Sequence, residues 1–405
     1  MKRRFISDGH LIDSGILAAV LNLIIEEGAD YEIIDFTVGK THANPSHLEI
    51  DLICTTEEQM AACTEKLVQT GCYEKQAPKA VVKTAEKDGT VPDNFYSTTN
   101  HRTEVFMNNK WVPVQKQRMD GVIVLEGDTA ICKKLRDVKQ GDAIICSSES
   151  VRVFPPERER SQDAFGFMSN DVSSERGIGV LVDAVAEEMK RVRSDGGKIV
   201  AVAGPVIIHT NGSRAFASLC KAGYIKGVLA GNALAVHDIE YELFGTSLGI
   251  DLASGRPTNE GHRNHMRAIN TVRQCGSIQE TIQQGLLRQG IMYELEEGNI
   301  PYCLAGSIRD DGPLPETENN IIAAQERYAE IVAGADMVLM LSTMLHSIGT
   351  GNMLPSWVKT VCVDINPAVV TKLIDRGSAQ TIGIVSDIGL FMRVLTEKCI
   401  GSERV

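Results

Sequence analysis

Between Lys198 and Asp387 strand-like and helix-like patterns alternate, and that alternation limits what the chain can fold into. Short apolar runs, each closed by small or polar residues, alternate with helical patterns. Strands are expected at 198–208, 226–231, 301–305, 336–342, 359–363 and 381–385. Helices are expected at 178–194, 213–222, 258–274, 277–289, 319–332, 366–375 and 387–398. Near-continuous apolar strands separated by helices predict an α/β domain whose parallel sheet is covered on both faces. Open sheets of this kind bind ligands at the carboxyl ends of their strands. A nucleotide-type site is therefore expected, although no G-x-G-x-x-G is present.

The amino-terminal third reads differently. Ser14–Glu27 has helical spacing, Asp30–Val38 and Leu48–Cys54 read as strands, and Thr55–Thr70 as a second helix with a Thr-Thr-Glu-Glu start. Helix, strand, strand, helix is the heart of a ferredoxin-like α+β unit, once flanking strands complete it. From about residue 100 the pattern is β-rich. Strands are expected at 103–107, 111–115, 121–125, 142–146 and 151–154, with Asn108-Asn109-Lys110 as a hairpin turn. Val153–Asp163, with two prolines and dense charge, reads as a linker. The expected domains are 1–98 (ferredoxin-like), 99–160 (β-rich module and linker) and 161–405 (the parallel-sheet domain).

Charge and cysteines narrow the setting. A net charge of −12 over 405 residues, with a pI near 5.3, argues against nucleic acid and against an anionic membrane surface as partners. No run approaches the about 18 apolar residues that span a bilayer, and no secretory leader is seen. The ten cysteines are scattered without a C-x-x-C pair, as expected of buried thiols in the reducing cytoplasm.

Candidate site residues cluster at the predicted strand ends. After the first run come Thr210, Asn211, Gly212 and Ser213, where free amides of a helix start suit a phosphate, or where the helix is simply capped. After the second come Gly231, Asn232 and Ala233, then His237 and Asp238, either an acid/base pair or satisfied structural residues. Arg309, Asp310 and Asp311 follow the third, as groups for a charged substrate or as a solvated loop. Ser342 and Thr343 end the fourth. Asp364, Ile365 and Asn366 end the fifth, where an acidic residue suits ribose hydroxyls. A glycine-rich loop, His346 to Asn352 with Gly351, lies between them and could close over a cofactor. Asp387 follows the last strand, with helix capping the favoured reading. His262 and His265 have no third ligand in view, so no metal site is expected.

Four stretches carry a resemblance: Gly9–Ile24 (GHLIDSGILAAVLNLI), Arg118–Cys146 (RMDGVIVLEGDTAICKKLRDVKQGDAIIC), Gly231–Leu252 and Leu304–Glu316. They resemble the conserved region of lysine-oxoglutarate reductase/saccharopine dehydrogenase, and the whole chain resembles archaeal-type ornithine cyclodeaminases. It is also similar to the carboxyl-terminal half of cyanobacterial arginine-degrading enzymes; their amidine-hydrolysing domain has no counterpart here, so arginine cleavage is not expected. The resemblance implies a carboxyl-terminal NAD-binding fold like that of deoxyhypusine synthase, and a homo-oligomer, a tetramer. It implies NAD as cofactor and conversion of L-ornithine to L-proline and ammonia, with hydride leaving Cα and returning to the cyclic imine. A cationic amino acid suits Asp238, Asp251, Asp310 and Asp311, and its carboxylate suits Arg309 or Asn232. Proton transfer is expected of Asp238, Asp311 or His237. Alternatives are another NAD-dependent transformation of the lysine or saccharopine type, and a non-catalytic sensor of an amino acid and NAD.

Overall fold

The computed structural model describes residues 1–12, 14–40, 44–76, 78–155, 178–252, 256, 261–310, 312–376 and 381–401. Its contacts divide the chain into two compact units, Met1–Gly166 with Asn352–Trp357, and Phe167–Gly351 with Val358–Val405.

The first unit opens with β1 (Lys2–Gly9), a helix (Ile16–Glu26), β2 (Asp30–Thr37), β3 (Ser46–Ile53), a helix (Glu57–Gln69) and β4 (Tyr73–Glu74). The strands pair in the order β2-β3-β1-β4, all antiparallel, so the flanking strands complete the ferredoxin-like unit. The second helix starts at Thr56, whose side chain accepts from the Gln59 amide, as the Thr-Thr-Glu-Glu start predicts. Phe5, Val20, Ile24, Ile50, Leu52 and Leu67 fill the core between helices and sheet. The same unit holds a second sheet: β5 (Val82–Thr84), β6 (Arg102–Met107), β7 (Lys110–Gln115), β8 (Val122–Glu126), β9 (Thr129–Lys133), β10 (Ala143–Ile145) and β11 (Val151–Phe154). Its order is β11-β6-β7-β9-β8-β10-β5. Asn108 and Asn109 both have positive φ (50° and 59°), which turns β6 into β7 with the hand that matches strand twist. Residues 156–163 of the expected linker lie outside the described residues.

The second unit is a seven-stranded sheet: β12 (Ile199–Ala203), β13 (Ile225–Gly231), β16 (Tyr302–Ala305), β17 (Thr317–Glu318), β18 (Met337–Leu341), β19 (Lys359–Asp364) and β20 (Thr381–Val385). A short hairpin, β14 (Thr246–Ser247) and β15 (Ile250–Asp251), stands apart from it. Every pairing in the seven-stranded sheet is parallel, in the order β17-β16-β13-β12-β18-β19-β20. All five residues of β12 and of β18 are buried, as strands covered on both faces must be.

The structure corrects three expectations. The first strand ends at Ala203, and Val206–His209 is a helical turn, because Pro205 leaves the sheet while Ile207 and Ile208 stay buried. Asn232–Phe244 is a helix that the pattern does not announce. The expected glycine-rich loop is also a helix, Met344–Gly351. Its inward face is Ser347, Thr350 and Gly351, small residues at helical spacing.

Candidate active site at the switch point

The chain lays β12 first and adds β13, β16 and β17 on one side. It then returns to place β18, β19 and β20 on the other. The order reverses between β12 and β18, and in doubly wound sheets ligands bind in the crevice beyond the strand ends at such a point. The backbones are close there. Gly204 donates its N–H to the Leu341 carbonyl at 2.9 Å. A Cβ on Gly204 would lie 2.2 Å from the Ser342 carbonyl oxygen, so only glycine fits. Ser342 has a left-handed φ of 49°, and its N–H donates to the Val363 carbonyl at 2.9 Å. A strained serine at a strand end is a common mark of a functional turn.

Around this point the structure gathers Gly231, Ser342 and Thr343, with Asp364, Ile365 and Asn366 one strand further on and Asp387 just past β20. Asp364 is half-buried, and its Oδ1 accepts the Asn366 N–H at 2.8 Å; Asn366 Oδ1 in turn accepts from Ala368 at 3.0 Å and starts the next helix. Ile365 is 70% exposed, presenting a bare apolar face beside the strand end. Asp387 caps its helix through the Leu390 N–H at 2.8 Å, the favoured reading.

Thr210, Asn211, Gly212 and Ser213 lie one helical turn beyond β12; Gly212 and Ser213 are buried, Thr210 is half-buried and Asn211 is exposed. A Cβ on Gly389 would meet the Thr210 carbonyl oxygen at 1.9 Å, Asn211 donates to the Leu252 carbonyl at 3.2 Å, and Ser213 is buried. Asn352 groups with the first unit.

Within the helix Asn232–Phe244 the predicted polar residues turn inward. Asn232 Oδ1 accepts from the Leu314 N–H (3.1 Å) and the Thr317 hydroxyl (2.9 Å), which ties β17 to the end of β13; Ala233 follows it in the first helical turn. Asp238 is completely buried. Its two oxygens accept the N–H groups of Ile291 (3.0 Å) and Met292 (2.8 Å), at the start of the helix Ile291–Glu297. Burial pushes its carboxyl up to about 7, against those two bonds. This placement lets Asp238 cap that helix.

His237 is held by a neighbour that sequence reasoning passed over. Its Nδ1 lies 2.8 Å from Oε2 of Glu240, which is wholly buried. Glu240 also accepts from the Thr246 hydroxyl (3.0 Å) and the N–H groups of Leu248 (3.2 Å) and Gly249 (3.3 Å), anchoring the β14–β15 hairpin. Burial opposes its charge, but the bonds from His237, Gly249 and Thr246 outweigh burial and hold the carboxyl below its usual range. The His209 ring lies 4.9 Å from that of His237, centroid to centroid, and its Nδ1 lies 2.6 Å from the Ser247 hydroxyl. Burial, then the neighbouring His237, pushes His209 down to about 4. Of Asp251 only the backbone is described, within β15.

Arg309 and Asp310 sit in the turn after β16, where Asp310 Oδ2 accepts the Ser307 N–H at 2.8 Å; Asp311 lies outside the described residues. His346 and Tyr328 were not singled out by sequence. The Tyr328 hydroxyl donates to the Ala230 carbonyl at 2.7 Å and lies 2.9 Å from His346 Nδ1. His346 Nε2 lies 3.0 Å from where a Gly231 Cβ would stand. His346 therefore reaches from the helix after β18, across the end of β12, to the end of β13. Among the described residues no His, Cys, Asp and Glu cluster could hold a metal ion. No helix among them is long and apolar enough to cross a membrane. Two surface cavities of about 490 and 620 Å³ share Lys221 and Glu294. The smaller includes Ile225 and Pro301, at the amino ends of β13 and β16, away from the switch point.

Strand order, switch point and close glycine approach define a doubly wound sheet of the Rossmann class. Residues 183–395 match the family described as arginine dihydrolase ArgZ-like, C-terminal, Rossmann fold. Residues 102–182 match the first region of the same ArgZ-like C-terminal part, and residues 3–101 the LOR/SDH bifunctional enzyme conserved region. The chain belongs to this family of ArgZ-like C-terminal modules. An ornithine cyclodeaminase of Methanocaldococcus jannaschii is 48% identical over 398 residues, covering 96% of this chain and 94% of that protein. The apo crystal structure of ArgZ, an arginine dihydrolase from the cyanobacterial ornithine–ammonia cycle, matches at 42% identity and a TM-score of 0.84, over 98% of this chain and 58% of that one. The ternary complex of AgrE with ornithine and NAD+ matches at 42% identity and a TM-score of 0.54, over 98% of this chain and 57% of that one. The chain thus spans little more than half the length of ArgZ and AgrE.

Proposed function

We propose that this chain is an NAD-dependent ornithine cyclodeaminase, an ammonia-lyase that converts L-ornithine to L-proline and ammonia. One observation carries the reading: a Rossmann switch point sits in a chain 48% identical, nearly end to end, to an archaeal ornithine cyclodeaminase.

The residues at the switch point fit a dinucleotide. The close approach of the Gly204 and Ser342 backbones holds the ends of β12 and β18 side by side at the rim of the crevice. Asp364, at the end of β19, has one oxygen engaged by Asn366 and would receive ribose hydroxyls with the other. Ile365 and Thr343 would flank the bound cofactor, with the segments Thr210–Ser213 and Gly231–Ala233 at its borders. When bound, NAD supplies an acceptor, and later a donor, of the two electrons taken from Cα. The protein's part is to place Cα, exclude water and move protons. Arg309 would hold the substrate carboxylate and Asp310 its distal ammonium.

The test is product analysis. Purified protein with L-ornithine and a trace of NAD+ should yield proline and ammonia in equal amounts without accumulating NADH. A lysine- or saccharopine-type dehydrogenase would accumulate reduced cofactor, and a sensor would bind ligands without turnover.

A further inference from the structure

We propose that His346 is the acid/base group of this site, acting through Nε2, and that Tyr328 is a positioning residue that fixes its tautomer. The inference rests on the cyclodeaminase reading for the identity of the substrate.

The hydrogen bonds decide which nitrogen is free. A carbonyl oxygen can only accept, so the single Tyr328 hydroxyl proton goes to Ala230. The phenolic oxygen must then accept from His346, which places the proton on Nδ1. Nε2 is left with its lone pair, beside Gly231 at the end of β13. The same Nδ1–H bond persists if Nε2 gains a proton, so the ring can take up and release one there without rearranging. Burial holds His346 below the usual imidazole range, while the charge of Asp310 pulls the other way; at neutral pH the ring starts as a base. Tyr328 is itself buried and its ring lies 6.0 Å from that of His346, so the pair is a built element and not a surface contact.

The reaction needs such a shuttle. Ornithine arrives with both nitrogens as ammonium groups. The δ-nitrogen ends as the secondary ammonium of proline, one proton poorer, and the α-nitrogen leaves as ammonium, one proton richer. As the bond from the δ-nitrogen to Cα forms and the α C–N bond breaks, one proton passes from the first nitrogen to the second. The electron pair removed from Cα returns to it, so there is no net oxidation. Nε2 takes the proton from the δ-nitrogen and gives it to the departing nitrogen.

The test uses the full chain and two variants, His346→Gln and Tyr328→Phe. In the ligand-free parent at pH 8, nitrogen-15 spectra of the imidazole rings should show the His346 proton on Nδ1, and Tyr328→Phe should populate the other tautomer. His346→Gln should keep its melting temperature and its NAD affinity by calorimetry, and lose about 10²–10⁴-fold in ornithine turnover. Tyr328→Phe should lower kcat with KM little changed. If His346→Gln does not fold, His346→Asn takes its place, and the ring spectrum decides independently. A parent ring protonated on Nε2, or a His346→Gln protein that binds NAD and turns over within about threefold of the parent, overturns the assignment. A parent that makes no proline overturns the cyclodeaminase reading instead; an active parent beside a fully active His346→Gln overturns only the role of His346.

Discussion

Replacing Glu240 by glutamine should destabilise the second unit although the two side chains have nearly the same shape. Glu240 has no exposed surface and accepts four hydrogen bonds, two at each oxygen. Glutamine turns one oxygen into an N–H donor. If the amide nitrogen faces Thr246 and Gly249, the threonine hydroxyl can rotate to accept, but the Gly249 N–H loses its bond to this side chain. If it faces His237 and Leu248, the imidazole can change tautomer, but the part-buried Leu248 N–H loses its bond to this side chain. Either way one backbone hydrogen bond to a charged acceptor is lost, at about 1–3 kcal/mol. Alanine removes all four bonds and should cost about 4 kcal/mol, counting about 1 per bond. The pH dependence has a definite sign. The folded carboxyl lies below its unfolded value, so its stabilisation is full above the unfolded pKa and is lost as the pH falls through the folded one. Glu240→Gln should therefore flatten the acid limb of the stability profile. Urea denaturation followed by circular dichroism at pH 7 and 4 measures both effects. A Glu240→Gln protein within about 0.5 kcal/mol of the parent at pH 7, the spread of ordinary surface substitutions, would refute the anchoring role.

Two other outcomes follow from particular residues. Asp364→Ala should weaken NAD binding by about 1–3 kcal/mol in calorimetry, leaving the melting temperature nearly unchanged; an unaltered affinity removes Asp364 from the cofactor site. His209 is pushed from 6.5 down to about 4, so its contribution to stability is intact above pH 6.5 and shrinks as the pH falls toward 4. His209→Gln should lack that slope in urea titrations between pH 7 and 4.

The parallel sheet was legible because its strands are short, apolar and regularly spaced: β13, β18 and β20 lie within a residue of where the pattern puts them. The ferredoxin-like half was legible from two amphipathic helices around two strands. What failed did so for physical reasons. Apolarity cannot separate a strand from a buried helical turn, so the pattern merges Val206, Ile207 and Ile208 with the first strand. The helix Asn232–Phe244 hides because His237, Asp238 and Glu240 face inward, where their partners satisfy them, and no polar stripe is left to reveal it. The glycines of Met344–Gly351 suggested a loop, whereas small residues there let a helix lie close to the sheet. The strand-end positions of Asp364 and Ser342 could be read because strand ends are local features. His346 could not, since its role depends on Tyr328 and on Ala230, which is 98 residues before Tyr328 in the chain. Asp238 is a like case: its two backbone partners lie 53 and 54 residues away, beyond what a strand-end pattern shows.

The central claim is most directly tested by following L-ornithine labelled with nitrogen-15 at the α-amine, in the presence of a trace of NAD+. Cyclodeamination releases the label as ammonia, leaves only the unlabelled δ-nitrogen in the proline formed, and accumulates no NADH. Label retained in proline, stoichiometric NADH, or no proline at all would contradict it.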